Sequence, residues 1–415
     1  ALDAYCRERF IELVPNQNSF GHMERWLPLP EYAALAETHD TFTTPWGSVV
    51  QGPFSLAPDN PGSIKLITGL YDELLPNFTS RMFNVGLDET SDLGQGVSKS
   101  ICEARGRGQV YFDFLMKIYS DVKRRGYTML FWGDIINNES PELAALLPRD
   151  VIALNWGYDW DHPFDVQSQR FASSGVPFYV CPGTSTWCSL AGRTDNALTN
   201  LLNAAENGIK HGAIGYLNTD WGDAGHWQSP PVSYLGFAAG AAFSWALEAN
   251  RSMDVPAVVS RFAFADPTGS MGKLAYDLGN IYQAPGIIVP NGSALFWALQ
   301  LPLDAANAYA VQVSKFHETI HAVDAAMQPL SSAKMARPDA DLIRREYLNT
   351  ARLLRHAARR VILAVEGDHN GLCKELAADI AAIIEEYRAL WLARSRPGGL
   401  ADSAGRLEAA AASYK

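Results

Sequence analysis

A chain of 415 residues, 47% hydrophobic and 19% charged, has ordinary globular composition and room for about two domains. Its formal net charge of −11, with no long basic run, argues against nucleic acid as a partner and favours a neutral ligand over an anionic one. No apolar run reaches membrane-spanning length, so no membrane partner is expected, and five cysteines without a Cys-x-x-Cys pair read as free thiols of a reducing compartment, which tilts the expected location towards the cytoplasm.

Residues 10–15, Phe-Ile-Glu-Leu-Val-Pro, read as a strand, and Asn16 to His22 as the loop after it. No signal peptide precedes this strand, and the chain reads as truncated at its start. Residues 29–37 have a helical pattern, and 38–60 read as a long loop. Pro61 suits the first turn of a helix running to Leu75. Met82 to Leu87 is a short apolar strand. Val110, Phe114, Ile118 and Val122 make a helical stripe closed by Gly126. Strands at 128–132, 151–156, 177–181 and 213–217 then alternate with helices at 141–147, 166–174, 195–210 and 232–247.

Six strand–helix units predict an α/β fold with a parallel sheet. Polar and aromatic residues fall just after the strands, where (β/α)8 TIM barrels carry their active sites. A full barrel needs eight units, so the first two are expected to lie upstream of this chain. Beyond 250 the pattern turns helical, at 304–328, 340–366 and 372–394. The expected division is a barrel domain over 1–250 and a C-terminal α-helical domain over 251–415. The helical part would be a layer on the barrel or the surface of a homodimer; the sequence leaves both open.

The strand at 82–87 ends abruptly in Asp88 and Glu89. Two carboxylates in one cavity repel, which raises at least one pKa and can supply a proton donor beside an anion. The plainer reading is a turn aspartate and a solvated glutamate. No other chemistry stands out. His162, His211 and His226 are dispersed, and His317 and His321 share a helical face without a third ligand, so no metal is expected. No Gly-x-Ser-x-Gly elbow and no phosphate-binding glycine loop follows a strand, so no cofactor is expected.

Phe83-Asn84-Val85-Gly86-Leu87-Asp88-Glu89 resembles the strand-four signature of glycoside hydrolase family 20, the β-N-acetylhexosaminidases. Ser19-Phe20-Gly21-His22 is similar to that family's Pro-Gly-His loop, with Phe in place of Pro. Phe131-Trp132-Gly133-Asp134 and Asn155-Trp156 resemble its strand-five and strand-six tryptophan segments. Asp220-Trp221-Gly222-Asp223 resembles its strand-eight Trp-x-Glu, with Asp for Glu. The resemblance implies hydrolysis of terminal β-linked N-acetylglucosamine or N-acetylgalactosamine from a glycan or glycoconjugate, with retention through substrate assistance. The sugar's own acetamide would attack, Asp88 would orient it, and Glu89 would act as general acid and then base. Further implied substrate contacts are His22 beside the dyad, Trp132, Trp156 and Trp221 around the sugar, and Asp223 on its hydroxyls. The family's strand-seven tyrosine has no clear counterpart: Tyr179 has the right chemistry, and Tyr158 or Trp187 are substitutes. The arginine that grips the sugar hydroxyls belongs to strand one, which is expected to lie upstream of this chain. The alternative is a non-catalytic N-acetylhexosamine-binding protein on the same fold.

Overall fold

Strands buried between helices are apolar on both faces and short, which describes the runs around Phe83, Phe131 and Leu154. In the computed structural model, which describes residues 1–414 apart from the side chains at 307, 310 and 311, five such runs pair. They are β1 (Met82–Asn84), β2 (Thr128–Trp132), β3 (Ile152–Trp156), β4 (Phe178–Cys181) and β5 (Gly215–Tyr216). All are parallel and lie in sequence order. Parallel neighbours need crossovers, and helices supply them. The principal ones are α1 (Arg107–Arg124), α2 (Phe164–Ser174) and α3 (Thr194–His211). This is the α/β layout of a TIM barrel, represented by five of its strands and followed by C-terminal helices.

The segment expected as a strand at 10–15 is not one. It joins the sheet only at its end, through a parallel bridge of Asn16 to Asn84 and the bond from Asn84 N–H to the Pro15 carbonyl. Pro15 has no N–H to give to a ladder, which limits pairing there. The helix expected at 29–37 shrinks to a 3-10 turn, Ala33–Leu35, and the expected loop at 38–60 contains a hairpin, Thr41–Thr43 with Val49–Gln51.

Strand register decides what meets at the strand ends. Asn84 pairs with Leu130, and Leu130 with Ile152. Moving four residues along each strand brings Asp88, Asp134 and Trp156 to one level. Tyr179 pairs with Leu154 and so sits two residues short of it.

The chain divides into two compact units interleaved in sequence. The first is Ala1–Trp156, Pro163–Cys181 and Asn207–Tyr216; the second is Gly157–His162, Pro182–Glu206 and Leu217–Lys415. In the first, the stripe of α1 is buried as its spacing predicts, and Phe114 meets Phe20 at 4.3 Å between ring centres. Burial of each such side chain stabilises by about 1.5–3 kcal/mol. In the second, the packing of α4 (Ala340–Glu366), α5 (Leu372–Arg394) and α6 (Leu400–Ala412) buries charges whose hydrogen bonds are met. Glu346 is 1% exposed and takes two bonds from Arg394, at 2.8 and 2.7 Å. Arg360 is equally buried and donates to the carbonyls of Ala298 and Leu301. A charge left there without such partners would be strongly destabilising. No helix of the described residues is long and apolar enough to cross a membrane.

Candidate active site

The ladder does not stop where β1 ends. Val85 N–H bonds the Leu130 carbonyl, and Trp132 N–H bonds the Gly86 carbonyl. The chain then leaves the sheet through left-handed backbone, with φ of +72° at Gly86, +74° at Leu87 and +49° at Glu89. Leucine and glutamate avoid this region, so the local strain must be held by the surroundings. The buried Tyr111 holds it from α1, its hydroxyl donating to the Leu87 carbonyl at 3.0 Å. The loop carrying His22 presses on the same turn. A Cβ on Gly21 would stand 2.7 Å from the Asp88 carbonyl oxygen.

The result is a group of four titratable side chains. His22 Nε2 lies 3.1 Å from Asp88 Oδ2 and 3.6 Å from Glu89 Oε2. The nearer contact is an ion pair rather than an aligned hydrogen bond, for Nε2 has no hydrogen-bond partner by angle. Asp134 closes the group from the end of β2. Its Oδ2 accepts the Glu89 backbone N–H at 3.0 Å, and its Oδ1 accepts the Trp156 indole N–H at 3.2 Å. Asp88 Oδ1 is buried with no hydrogen-bond partner. A buried carboxylate oxygen without a donor is costly unless a ligand supplies one.

Burial pushes Asp134 up, the charge of Asp88 adds to this, and the two N–H donors only partly oppose it, leaving the carboxyl at about 8. Burial lowers His22, but Asp88, with Glu89 and Glu24, outweighs it and lifts the imidazole to about 9. At neutral pH the group therefore contains a charged His22 and a mostly neutral Asp134.

Behind the dyad, two fully buried carboxylates secure the following loop. Asp92 Oδ2 accepts Ser55 N–H at 3.0 Å. Glu37 Oε1 accepts the N–H groups of Gly96 and Ser98 and the Ser98 hydroxyl, at 3.0, 3.1 and 2.7 Å.

Of the expected site residues, the first unit brings His22, Asp88, Glu89 and Trp156 together. Trp132 lies two residues before Asp134 and is 5% exposed. Tyr179 does not join them: its hydroxyl faces the Met82 sulfur at 3.9 Å, at the opening end of β1. In the second unit, Trp221 donates its indole N–H to the Tyr158 hydroxyl at 2.9 Å, and Tyr158 meets Trp187 edge-on at 4.9 Å. Trp187 is 1% exposed and donates to Asn291 at 3.0 Å, so it is a core side chain there. Asp223 is exposed at the start of a 3-10 turn, Asp223–Gly225, while Asp220 accepts the hydroxyls of Thr186 and Ser233 at 2.7 and 3.1 Å. Asp134 and Tyr111 were given no role from sequence. Asp134 carried a signal, a carboxylate just past a strand; Tyr111 carried none. No cluster of three or more metal-ligating side chains occurs among the described residues.

A cavity of about 1030 Å³ lies within the second unit against Leu299–Leu303, Leu363 and Ala410. Its size does not mark it as the reactive site, because its buried Arg360 has donors already taken by main-chain carbonyls.

A parallel α/β sheet with its carboxylates gathered past the strand ends is the arrangement of a barrel enzyme. Residues 1–203, just under half of the chain, match the family model of the glycosyl hydrolase family 20 catalytic domain. It is similar to hexosaminidase D of Homo sapiens, 26% identical over 178 residues, which are 40% of this chain and 34% of that protein. It is also similar to lacto-N-biosidase of Bifidobacterium bifidum, 29% identical over 157 residues, 35% of this chain and 13% of that one. The chain thus spans well under two thirds of either relative. Among solved structures, a chitobiase of Flavobacterium johnsoniae aligns over 93% of this chain and 64% of its own, at 15% identity and a TM-score of 0.43.

Proposed function

We propose that this chain is the catalytic part of a β-N-acetylhexosaminidase that cleaves terminal β-linked N-acetylhexosamine with retention, the substrate's acetamide acting as nucleophile. The observation that carries the reading is the buried, unpartnered Asp88 Oδ1 beside Glu89. An acetamide N–H is the donor that this oxygen lacks, and accepting it would turn the acetamide oxygen towards the anomeric carbon. Asp88 then balances the positive charge of the oxazolinium that forms. Glu89 gives its proton to the departing glycosidic oxygen and later removes one from water. The charge count supports this. His22 balances Asp88, and the Asp88 carboxylate beside Glu89 favours the protonated form that a general acid needs. Trp156, half-buried at the same level, would pack on the sugar or its acetamide methyl.

The test is turnover of a chromogenic aryl β-N-acetylglucosaminide. Glu89→Gln and Asp88→Asn should each lose about 10²–10⁴-fold in kcat. A thiazoline mimic of the cyclised intermediate should inhibit. Sugar binding with the same negligible turnover in the unaltered chain and both variants would instead mean a lectin. Turnover insensitive to the thiazoline would mean an enzyme nucleophile.

A further inference from the structure

The second unit holds a large indole out on a pinned loop. Arg193, Asn196, Asn200 and Asn203 recur at helical spacing around the start of α3, and all four bond residues of the segment 157–162. Asn196 donates to the Tyr158 carbonyl at 2.7 Å and accepts the Trp160 N–H at 2.9 Å. Asn200 donates to the carbonyls of Gly157 and Asp159 at 3.0 and 2.9 Å, and Asn203 to that of His162 at 2.9 Å. Arg193 pairs with the Asp159 carboxylate at 2.7 Å. Trp160 is nonetheless 58% exposed. A backbone held this firmly could have buried its tryptophan, and it does not.

Trp160 forms one wall of a cavity of about 590 Å³, with Tyr282 and Gln283 among the residues around it and the carboxylates of Asp161 and Asp195 in its lining. That volume falls in the range of small-ligand sites. Arg193 also lines it, and its Nε is buried without a hydrogen-bond partner. The chemistry selects the ligand. An indole face accepts the C–H side of a sugar ring. Carboxylates accept its hydroxyl protons, and a guanidinium N–H waits for an oxygen. Three aspartates against one arginine disfavour an anion.

We propose that this cavity is a glycan-binding site that takes one or two neutral pyranose rings, with Trp160 as platform and Asp161 as hydroxyl acceptor. It needs no contribution from Asp88 or Glu89. Incorporation of 5-fluorotryptophan gives a local reporter, assigned by the resonance that Trp160→Phe removes. Cellotriose at millimolar concentration should shift that resonance saturably and equally in the unaltered chain and in Glu89→Gln, and chitotriose should do so in Glu89→Gln, so the result stands apart from hydrolysis. Asp161→Asn should weaken the response about tenfold, as the loss of one good contact does. A resonance unmoved by both trisaccharides overturns the proposal. So does a shift unaltered by Asp161→Asn, which would mean a merely adhesive indole, or a shift driven by protein concentration alone, which would mean a contact between copies.

Discussion

The carboxylate of Asp134, beyond the end of β2, accepts the backbone N–H of Glu89, beyond the end of β1, at 3.0 Å. The same carboxylate accepts the Trp156 indole N–H at 3.2 Å. One aspartate thus ties the peptide of the proposed acid/base to the tryptophan at the end of the next strand. The strained turn at Leu87 and Glu89 has a partner on each side, with Tyr111 behind it and Asp134 beside it.

Asp134→Asn should lower kcat by about a hundredfold through misplacement of Glu89. The amide keeps one acceptor and presents a donor to the other N–H, which would destabilise the fold by about 1–3 kcal/mol. Asp134 is pushed up to about 8, so the unaltered enzyme should show an inflection near that pH in kcat/KM. The variant should lack it, while the His22 titration near 9 persists. A pH–rate profile of both proteins checks this.

His22 should make stability pH-dependent. Its folded pKa is raised from 6.5 to about 9, so its stabilisation is fully present below 6.5 and is lost as pH rises through 9. Asp134 acts in the same direction over a lower range, since its folded pKa is also raised. Thermal melts of the unaltered protein and His22→Gln between these limits separate the two. The difference in Tm should be largest near pH 6 and shrink by pH 9.5.

Gly21→Ala should damage activity and stability together. The added methyl would stand 2.7 Å from the Asp88 carbonyl oxygen, which is backbone and has little room to yield. Overpacking of this kind costs about 1–3 kcal/mol. Gly69→Ala is the control, lying within the helix Pro61–Leu74 with open space around its position. It should raise stability by about 0.5–1 kcal/mol and leave turnover unchanged. Melts and rate measurements on both variants decide.

Glu37→Gln and Glu37→Ala should differ sharply. Burial raises the Glu37 pKa, so a neutral amide keeps the Oε1 acceptor for Gly96 and Ser98 at little loss. Alanine strands those donors, at about 1–3 kcal/mol for each one left buried and unpaired. The alanine variant should also lose turnover as the loop behind Glu89 loosens. Chemical denaturation with parallel assays checks the contrast.

The sequence by itself determined the alternation of short apolar strands with helices, because hydrophobic period is a local property that reads out along the chain. It also placed Asp88 and Glu89 at a strand end, and the resemblance supplied their company of His22 and Trp156. Tertiary structure alone decided which residues share a level. The pairing of Asn84 with Leu130 and of Leu130 with Ile152 sets Asp134 and Trp156 beside Asp88, and leaves Tyr179 lower down against Met82. Register is fixed by ladder bonds and packing between segments far apart in the chain, so residues 46 and 22 positions apart in the paired strands become neighbours without any local pattern announcing it. The same holds for exposure. Trp187 and Trp160 are both tryptophans beyond strand ends in sequence, yet one is enclosed and the other held in the open, because burial belongs to the packed molecule and not to the residue type.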